Sequence, residues 1–411
     1  MHIVVIGNGA AGNNVASIAR RFNCEVTIVS EEIFPEYSAC ALPYYLSAEI
    51  PRQGVFLRKS EPYLRAGIHT IFGKKVHRID VKNQKVIFGD GNLRYDKLVI
   101  ATGAEAIVPK IVGVNKKGVF TLKTLGDVDK ILAYHKRKVA IIGSGFIGVE
   151  AGIALKKKGF EVVFIELLDR ILPRAFDKKL ADIIKAILRE HGIETLTEEK
   201  VVQILGKKRV EGVKTDNRKI GCDTVILSTG MRPRVNLARS AGIEIGELGG
   251  IITNEQMLTN IKNIYACGDC AESRDVVTGR NALHLLWPNA VLQGKIAGYN
   301  CVNIPYKYRG FVSIVGIDIF GIHAASIGHT MAAFPSSNHI QIIEKTYRKH
   351  YHWIVIKDGV IIGAQFVAKT KDLGIISQAI WKKAYLETIK ETISKRKLLI
   401  NPLYLTAKQY L

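Results

Sequence analysis

The chain carries the same short pattern twice, and this internal duplication constrains its fold more than any other feature. Each copy is an apolar run that ends in the glycine pattern GxGxxG and continues into a helical pattern. The copies are Ile3–Gly12, which reads IVVIGNGAAG, and Val139–Gly148, which reads VAIIGSGFIG. Further apolar strands recur in the same order, at 25–29 and 98–103 in the first unit and at 161–165 and 225–230 in the second. The duplication therefore predicts two βαβ units.

The three glycines of each pattern have separate roles in a dinucleotide-binding unit. The first permits a tight turn, the second lets the backbone approach a pyrophosphate, and the third lets helix and strand pack closely. The N-terminus of the following helix then faces the phosphates, where its N–H groups favour negative charge. The predicted binding residues are Gly7, Gly9, Ala10, Ala11 and Gly12 in the first unit and Gly143, Gly145, Phe146, Ile147 and Gly148 in the second.

An acidic residue after the second strand of such a unit accepts hydrogen bonds from the adenosine ribose and repels a 2′-phosphate. In the second unit this residue is Glu166, directly at the strand end, which favours NADH over NADPH. Arg170 and Arg174 follow it and keep NADPH as the alternative. In the first unit Ser30 occupies the strand end, so we take Glu31, displaced by one position, as the ribose-binding carboxylate.

Length, charge and cysteine content limit the number of domains and the class of protein. A chain of 411 residues exceeds the size of one growing core, which favours two or three domains. The net charge is +22, but no basic stretch has the interleaved aromatic residues of a nucleic-acid groove, so we assign the basic residues mainly to solvated helix faces. No apolar run of about 18 residues would span a bilayer. Six scattered cysteines, without a secretory signal or a disulfide pattern, predict a cytoplasmic enzyme.

The later part of the chain changes in pattern. It contains a strand and turn at 264–269, a helix at 287–300, alternating strands from about 310 with an Asp358-Gly359 hairpin signal, and a basic helical stretch at 373–397. We predict an α/β fold with two Rossmann-type dinucleotide-binding domains and an α+β C-terminal domain. The predicted boundaries are 1–110 with 246–309 for the first domain, 111–245 for the second and 310–411 for the third.

Several segments together resemble the pyridine nucleotide-disulfide oxidoreductases, over nearly the whole chain. They are the two glycine motifs, the second with Glu150, and the segments at 101–103, 228–230 and 265–269. The resemblance implies that the first unit binds FAD, that the second binds NADH or NADPH, and that the third domain forms a homodimer interface. The cofactor-binding residues that it adds are Ala101, Thr102, Gly103, Glu150, Gly230, Gly268 and Asp269.

In this family the aspartate of the Gly-Asp motif binds the ribityl chain of FAD, which implies that role for Asp269. Thr102 and Gly103 would close over the FAD pyrophosphate. Cys267 and Cys270 flank the motif in a Cys-x-x-Cys pattern that a redox pair or half a zinc site also shows. Because the residues between them serve the FAD motif, we interpret this pair as incidental and predict no metal site.

Cys40, within the stretch YSACALPYY at 37–45, is the candidate catalytic cysteine. It lies just ahead of a proline-containing first helical turn, where the positive end of the helix dipole lowers a thiol pKa. A buried packing cysteine is the alternative interpretation. The segment resembles the single-cysteine branch of the family, which includes coenzyme A disulfide reductases and NADH oxidases. In that branch the lone cysteine cycles as a mixed disulfide with coenzyme A or as a sulfenic acid.

Two differences from other members of the family help to choose among the activities of the single-cysteine branch. The oxidases and peroxidases carry a histidine at the position of Ala10, and glutathione-type reductases carry His-Pro where this chain has Asn401-Pro402. By resemblance, Tyr404 would donate a proton across the dimer interface, although a surface tyrosine is an equal alternative. Arg20 and Arg21 match the place where the coenzyme A branch sets an arginine against its substrate.

We therefore predict an FAD-dependent NAD(P)H oxidoreductase that reduces a small disulfide, persulfide or sulfur substrate through Cys40. The resemblance makes coenzyme A disulfide or persulfide the expected small-molecule substrate. One alternative is an NADH oxidase that passes electrons to oxygen. Another is an NADH-dependent reductase of an acidic electron carrier such as rubredoxin, docked on the basic surface.

Overall fold

The computed structural model describes residues 1–58, 60–89, 91–334, 339–368, 370 and 373–385. The chain divides into two compact units. The first unit comprises Met1–Glu105, Met231–Asp275 and Gly279–Phe311. The second unit comprises Ala106–Gly230, Val276–Thr278 and the described residues from Val312 onward.

The helices and strands are numbered in chain order. The helices are α1 Ala10–Arg21, α2 Leu42–Ser47, α3 Ser60–Arg65, α4 Leu125–Ala133, α5 Phe146–Lys157, α6 Lys178–Glu190, α7 Asn236–Ser240, α8 Trp287–Cys301 and α9 Leu373–Trp381. The strands are β1 His2–Ile6, β2 Glu25–Val29, β3 Ile68–Ile71, β4 Val76–Asp80, β5 Lys85–Phe88, β6 Gly91–Arg94, β7 Lys97–Ile100, β8 Ala104–Ala106, β9 Val119–Thr121, β10 Lys138–Ile142, β11 Glu161–Ile165, β12 Glu194–Leu196, β13 Val201–Leu205, β14 Gly212–Thr215, β15 Lys219–Ile220, β16 Thr224–Leu227, β17 Met231–Pro233, β18 Ile264–Ala266, β19 Ser273–Arg274, β20 Asn281–Ala282, β21 Ile314–Ile319, β22 Ile322–Gly328, β23 Ile340–Tyr347, β24 His350–Lys357 and β25 Val360–Val367.

The first unit is built on a parallel sheet in the order β18-β7-β1-β2-β3. Both faces of β1 are buried. Ile3 and Val5 pack in a core with Val15 of α1 and with residues of α8, whereas Val4 and Ile6 belong to a separate core. A parallel strand covered on both sides requires an unbroken apolar sequence, which explains the IVVI run of β1. The antiparallel sheet β4-β5-β6 belongs to the same unit.

The second unit contains a parallel sheet in the order β12-β11-β10-β16-β9. Its central strand β10 pairs with β11 and β16, as β1 pairs with β2 and β7 in the first unit. Ile142 at the end of β10 is opposite Ile165 and Leu227, and Ile6 at the end of β1 is opposite Val29 and Ile100. The duplication predicted from the sequence is therefore confirmed, with equivalent pairing at both strand ends.

An antiparallel sheet in the order β21-β22-β25-β24-β23 completes the second unit. The two residues between β24 and β25, Asp358 and Gly359, have φ angles of 51° and 78°. Positive φ at both central residues matches the twist of a two-residue hairpin and confirms the predicted turn. The α/β fold class with an antiparallel C-terminal region is thus confirmed, whereas the three-domain boundaries stay a prediction.

The prediction of one continuous helix at 373–397 is wrong. The helix α9 ends at Trp381, and Lys383 has a φ of 50°, which is a left-handed conformation. The Ala384 N–H donates to the Ala379 carbonyl at 2.9 Å, which closes the last turn. Residues 386–411 lie outside the described part of the chain. Among the described residues, no helix is both long enough and apolar enough to cross a membrane.

Candidate functional site

The first glycine loop lies between β1 and α1, and its three glycines have distinct surroundings. Gly7 has a φ of 117°, and a Cβ atom there would collide with the Ala101 carbonyl oxygen. A Cβ atom at Gly12 would collide with the Gly7 carbonyl oxygen. At Gly9, by contrast, a Cβ atom would meet none of the described residues within 4 Å. Packing therefore requires the outer two glycines, whereas the middle one borders open space that suits a phosphate.

The second loop, between β10 and α5, repeats this arrangement. Gly143 has a φ of 96°, and a Cβ atom there would collide with the Ser228 carbonyl oxygen; Gly148 is crowded by the carbonyl oxygen of Gly143. Gly145 again borders open space. The helices α1 and α5 begin directly after Gly9 and Gly145, and neither has an acidic residue in its first turn. Both loops thus fit a dinucleotide pyrophosphate.

Glu166 lies at the end of β11 and is buried against the second glycine loop. Its Oε2 accepts hydrogen bonds from the backbone N–H and the hydroxyl of Ser144, both at 2.7 Å. Its Oε1 accepts from the Leu168 N–H at 3.0 Å. A buried carboxylate needs such partners, and they hold it at the edge of the loop. This placement agrees with a ribose-binding carboxylate, and the preference for NADH stays a prediction.

The equivalent strand end in the first unit carries Ser30. The Ser30 N–H donates to the Ile71 carbonyl, just as the Glu166 N–H donates to the Leu196 carbonyl. Ser30 is therefore the counterpart of Glu166, and Glu31 lies one residue beyond that position. Its side chain is half exposed and lies 3.4 Å from Lys75 Nζ and 3.5 Å from Arg234 Nη1. Its role in binding the FAD ribose stays a prediction.

The segments that the family resemblance singled out come together around the first glycine loop. Ala101 meets Gly7, and Gly268 packs so closely on α1 that a Cβ atom there would lie 2.9 Å from the Ala11 Cβ. The Gly268 N–H donates to Gln293 Oε1 of α8 at 2.7 Å. Asp269 thus follows a turn that is held against the first turn of α1. Thr102 Oγ1 donates to the Arg234 carbonyl at 2.7 Å, which holds the neighbouring segment.

The Cys267 and Cys270 side chains are fully buried. The Cys270 thiol points to the carbonyl oxygens of Cys267 and Ile100, at 3.3 and 3.4 Å. Burial raises the pKa of both thiols. Redox exchange and metal binding both need thiolates, so these surroundings favour a packing role. Within the described ranges, no group of three or more His, Cys, Asp or Glu residues could hold a metal ion.

Cys40 is the exposed cysteine of the chain, and the other five are buried. It lies in the 3-10 turn Ala39–Ala41, directly before α2, and Pro43 occupies the first turn of that helix. The Ser38 N–H donates to the Val55 carbonyl at 2.8 Å, and the Ala41 N–H donates to the Ser38 carbonyl at 3.0 Å. The thiol is therefore accessible on an anchored segment, although its catalytic role stays a prediction.

The two predicted substrate arginines lie at the end of α1. Arg20 Nε donates to the Ala66 carbonyl at 2.8 Å, and Nη1 donates to the Cys24 carbonyl at 2.7 Å. These bonds join the helix end to the chain that follows α3 and occupy part of the guanidinium. Arg21 is exposed. Substrate binding by either arginine stays a prediction, and Tyr404 lies outside the described residues.

Glu150 lies on α5, and the ionisation of its carboxyl can be tested through protein stability without any substrate. Burial raises the pKa of its carboxyl from 4.5 to about 7. The folded protein therefore binds this proton more tightly than the unfolded chain, and the associated stability is lost as the pH rises through about 7. We expect Glu150→Gln to raise the free energy of unfolding at pH 8 by up to about 3 kcal/mol and to leave it unchanged at pH 4.5.

Denaturant unfolding at the two pH values, without added nicotinamide dinucleotide, measures this difference. Glu161→Gln is the matched control, because the Glu161 carboxylate is 73% exposed in the same unit. That control should stay within about 0.5 kcal/mol of the wild type at both pH values. Equal stability of Glu150→Gln and the wild type at pH 8 would contradict the assignment of a raised pKa.

A buried polar network in the first unit was missed by sequence reasoning. It joins Asn8 of the first glycine loop and Asn13 of α1 to Tyr63, Glu36 and Arg58, and we call these five residues the loop network. The available signal was an asparagine inside the glycine motif and another directly after it. Their partners, however, are distant in sequence and only the folded chain reveals them.

Two separate dinucleotide loops in one chain define an oxidoreductase that uses two dinucleotide cofactors. Residues 1–294 match the family described as pyridine nucleotide-disulphide oxidoreductase, and the chain belongs to this family. It is an NAD(P)H-dependent oxidoreductase, with FAD and NAD(P)H as its cofactors.

Three similar proteins show how far the likeness extends. The chain is 34% identical to an NADH oxidase of Methanocaldococcus jannaschii, over 95% of this chain and 93% of that protein. It is 36% identical to a CoA-dependent NAD(P)H sulfur oxidoreductase of Pyrococcus abyssi, over 80% of this chain and 75% of that protein. The solved structure of an NAD-dependent persulfide reductase from A. fulgidus superposes with a TM-score of 0.90 at 29% identity, covering 95% of this chain and 79% of that one.

Proposed function

We propose that the enzyme uses NADH to reduce a small disulfide, persulfide or sulfur substrate of coenzyme A, through Cys40. The observation that carries this proposal is the exposure of Cys40 on an anchored turn while the other five cysteines are buried. A nucleophilic thiol must be reached by its substrate, and Cys40 meets that requirement.

The chemistry balances as a two-electron reduction. The Cys40 thiolate attacks one sulfur of the disulfide RSSR, which forms a mixed disulfide with Cys40 and releases RS⁻. Bound FAD supplies a two-electron carrier between NADH and this cysteine. Two electrons then cleave the mixed disulfide, regenerate the Cys40 thiolate and release the second RS⁻. The net reaction is NADH + H⁺ + RSSR → NAD⁺ + 2 RSH.

The relatives support this choice of acceptor without deciding it. The Pyrococcus abyssi relative is named for sulfur and coenzyme A, and the A. fulgidus structure is named for persulfide. The Methanocaldococcus jannaschii relative is named an NADH oxidase, which keeps oxygen as the second candidate acceptor. Ala10, where the oxidase branch carries a histidine, favours the disulfide.

Strict anaerobiosis separates these candidates. We expect the purified enzyme to consume NADH under anaerobic conditions when coenzyme A disulfide or polysulfide is added, at a rate at least about tenfold above the rate with air alone. The assay follows NADH absorbance and counts the thiols formed, and two thiols for each NADH establish the balance with coenzyme A disulfide. Consumption that requires oxygen and ignores every disulfide would instead identify an oxidase.

A protein acceptor would behave differently. An acidic carrier docked on the basic surface would be reduced with a steep dependence on salt, because screening weakens long-range attraction. Salt alone does not separate the two acceptors, because coenzyme A disulfide also carries several phosphate charges, whereas turnover of the disulfide without any carrier protein does separate them. A homodimer, a cytoplasmic location and proton donation by Tyr404 also stay predictions.

A further inference from the structure

The loop network has Tyr63 at its centre. The Tyr63 ring and the Asn13 side chain are almost completely buried. The Tyr63 hydroxyl lies 2.7 Å from Asn13 Oδ1 and accepts a hydrogen bond from the Glu36 N–H at 3.2 Å. Asn13 Nδ2 in turn donates to the carbonyl oxygens of Asn8 and Gly9, at 2.9 and 3.1 Å. One phenol therefore connects the first glycine loop to the chain that leads towards Cys40.

A second connection runs beside the first. Arg58 Nε lies 2.8 Å from Glu36 Oε2, and Arg58 Nη2 donates to Ser17 Oγ of α1 at 2.9 Å. The Arg58 guanidinium also lies 5.8 Å from the centre of the Tyr63 ring. Burial raises the pKa of Glu36, and the Arg58 charge opposes that shift. The buried Glu36 carboxylate is thus paired with the Arg58 guanidinium by charge and by a hydrogen bond.

Three hydrogen bonds, two of them made by the loop network, fix the backbone just ahead of Cys40. Asn8 Nδ2 donates to the Phe34 carbonyl at 3.0 Å, the Glu36 N–H donates to Tyr63, and the Ser38 N–H donates to Val55. Backbone polar groups are thereby bonded at every second residue from 34 to 38. Cys40 follows only two residues later, so its position depends on these bonds.

We propose that Tyr63 is a positioning residue for Cys40, and that its hydroxyl holds the segment 34–38 on the first glycine loop. This inference rests on the proposed function of Cys40 as the nucleophile. A phenylalanine would fill the same apolar space, so the hydroxyl serves the hydrogen bonds rather than the packing. Loss of these bonds should disturb the step that uses Cys40 and leave the NADH site in the other unit unchanged.

Tyr63→Phe tests the proposal, and Tyr95→Phe is its matched control. Tyr95 is also buried in the first unit, but its hydroxyl has no hydrogen-bond partner among the described residues. We expect amide hydrogen exchange of the holoenzyme in peptides covering 34–41 to accelerate about tenfold in Tyr63→Phe, as for the loss of one hydrogen bond, and not in Tyr95→Phe. Anaerobic disulfide-dependent kcat should fall about tenfold, while flavin reduction by NADH stays within about twofold.

Absorption spectra give an independent reading. When Cys40 starts as a mixed disulfide with coenzyme A, two-electron reduction of the wild type should release the Cys40 thiolate beside oxidised flavin and produce a long-wavelength band, and Tyr63→Phe should weaken this band. If Tyr63→Phe purifies without flavin, the same measurements are made after reconstitution of the variant with excess FAD. Exchange rates, band and kcat that match those of Tyr95→Phe would overturn the positioning role. A Cys40→Ser enzyme with full disulfide activity would instead overturn the proposed function.

Discussion

Cys40→Ser should lower the anaerobic, disulfide-dependent oxidation of NADH by at least about 1000-fold, because a serine hydroxyl does not replace a thiolate in disulfide exchange. Reduction of the flavin by NADH should stay within about twofold of the wild type, since that step does not use the cysteine. Stopped-flow absorbance measures flavin reduction, and NADH consumption with coenzyme A disulfide measures the whole cycle. A reduced flavin that no longer passes its electrons to the disulfide is the expected signature.

Cys301→Ala is the control for this experiment. Cys301 is completely buried in the core of the same unit, so its removal should change stability by about 1 kcal/mol without changing the disulfide-dependent rate. Anaerobic titration with NADH after incubation with coenzyme A disulfide adds a second measurement, because the first two electrons should cleave the Cys40 mixed disulfide and give a thiolate-to-flavin band that Cys40→Ser lacks. Disulfide turnover that survives in Cys40→Ser, or a wild type without the band, contradicts catalysis by Cys40.

Gly9→Val should yield a folded protein that has lost FAD. Gly9 has a φ of −83° and a ψ of −172°, an extended conformation that valine adopts without strain. A Cβ atom at Gly9 meets nothing within 4 Å in the described part of the chain, so the branched side chain would instead occupy the space that suits the pyrophosphate. We expect FAD binding to weaken at least about 1000-fold, or about 4 kcal/mol. The flavin-to-protein ratio and FAD titration of the apoprotein measure this change.

Two further glycines separate binding from folding. Gly145→Val places the same side chain in the second loop, so it should keep FAD and lose reduction by NADH. Gly12→Ala should destabilise the first unit itself, because its Cβ atom collides with the Gly7 carbonyl oxygen. A Gly9→Val protein with its full content of FAD would refute the assignment of the first loop.

Local patterns were the most predictable part of the molecule. The strand and glycine motifs, the helix α8 and the Asp358-Gly359 turn depend on residues within a few positions of one another, and all were expected from the sequence. The end of α9 was not expected. The basic residues after Trp381 continue a helical composition, whereas the left-handed conformation of Lys383 closes the last turn.

The residues of the candidate site show the same difference between short-range patterns and contacts between distant segments. The sequence alone predicted the glycines, the strand-end carboxylate Glu166 and the proline-flanked Cys40 as site residues, because short-range steric and hydrogen-bonding rules restrict which residues such turns accept. It did not reveal that Arg20 is bonded to two backbone carbonyls.

The duplicated glycine pattern by itself determined that the chain folds into two dinucleotide-binding units, because only glycine fits where backbone meets backbone in each turn. Only the tertiary structure decided what surrounds them. Tyr63 and Asn13 are 50 residues apart, and Tyr63 and Glu36 are 27 apart, yet they share one buried hydroxyl. Such contacts depend on the packing of α1, α3 and the chain before α2. No local rule specifies them, since their free energy arises only when distant segments exclude water together.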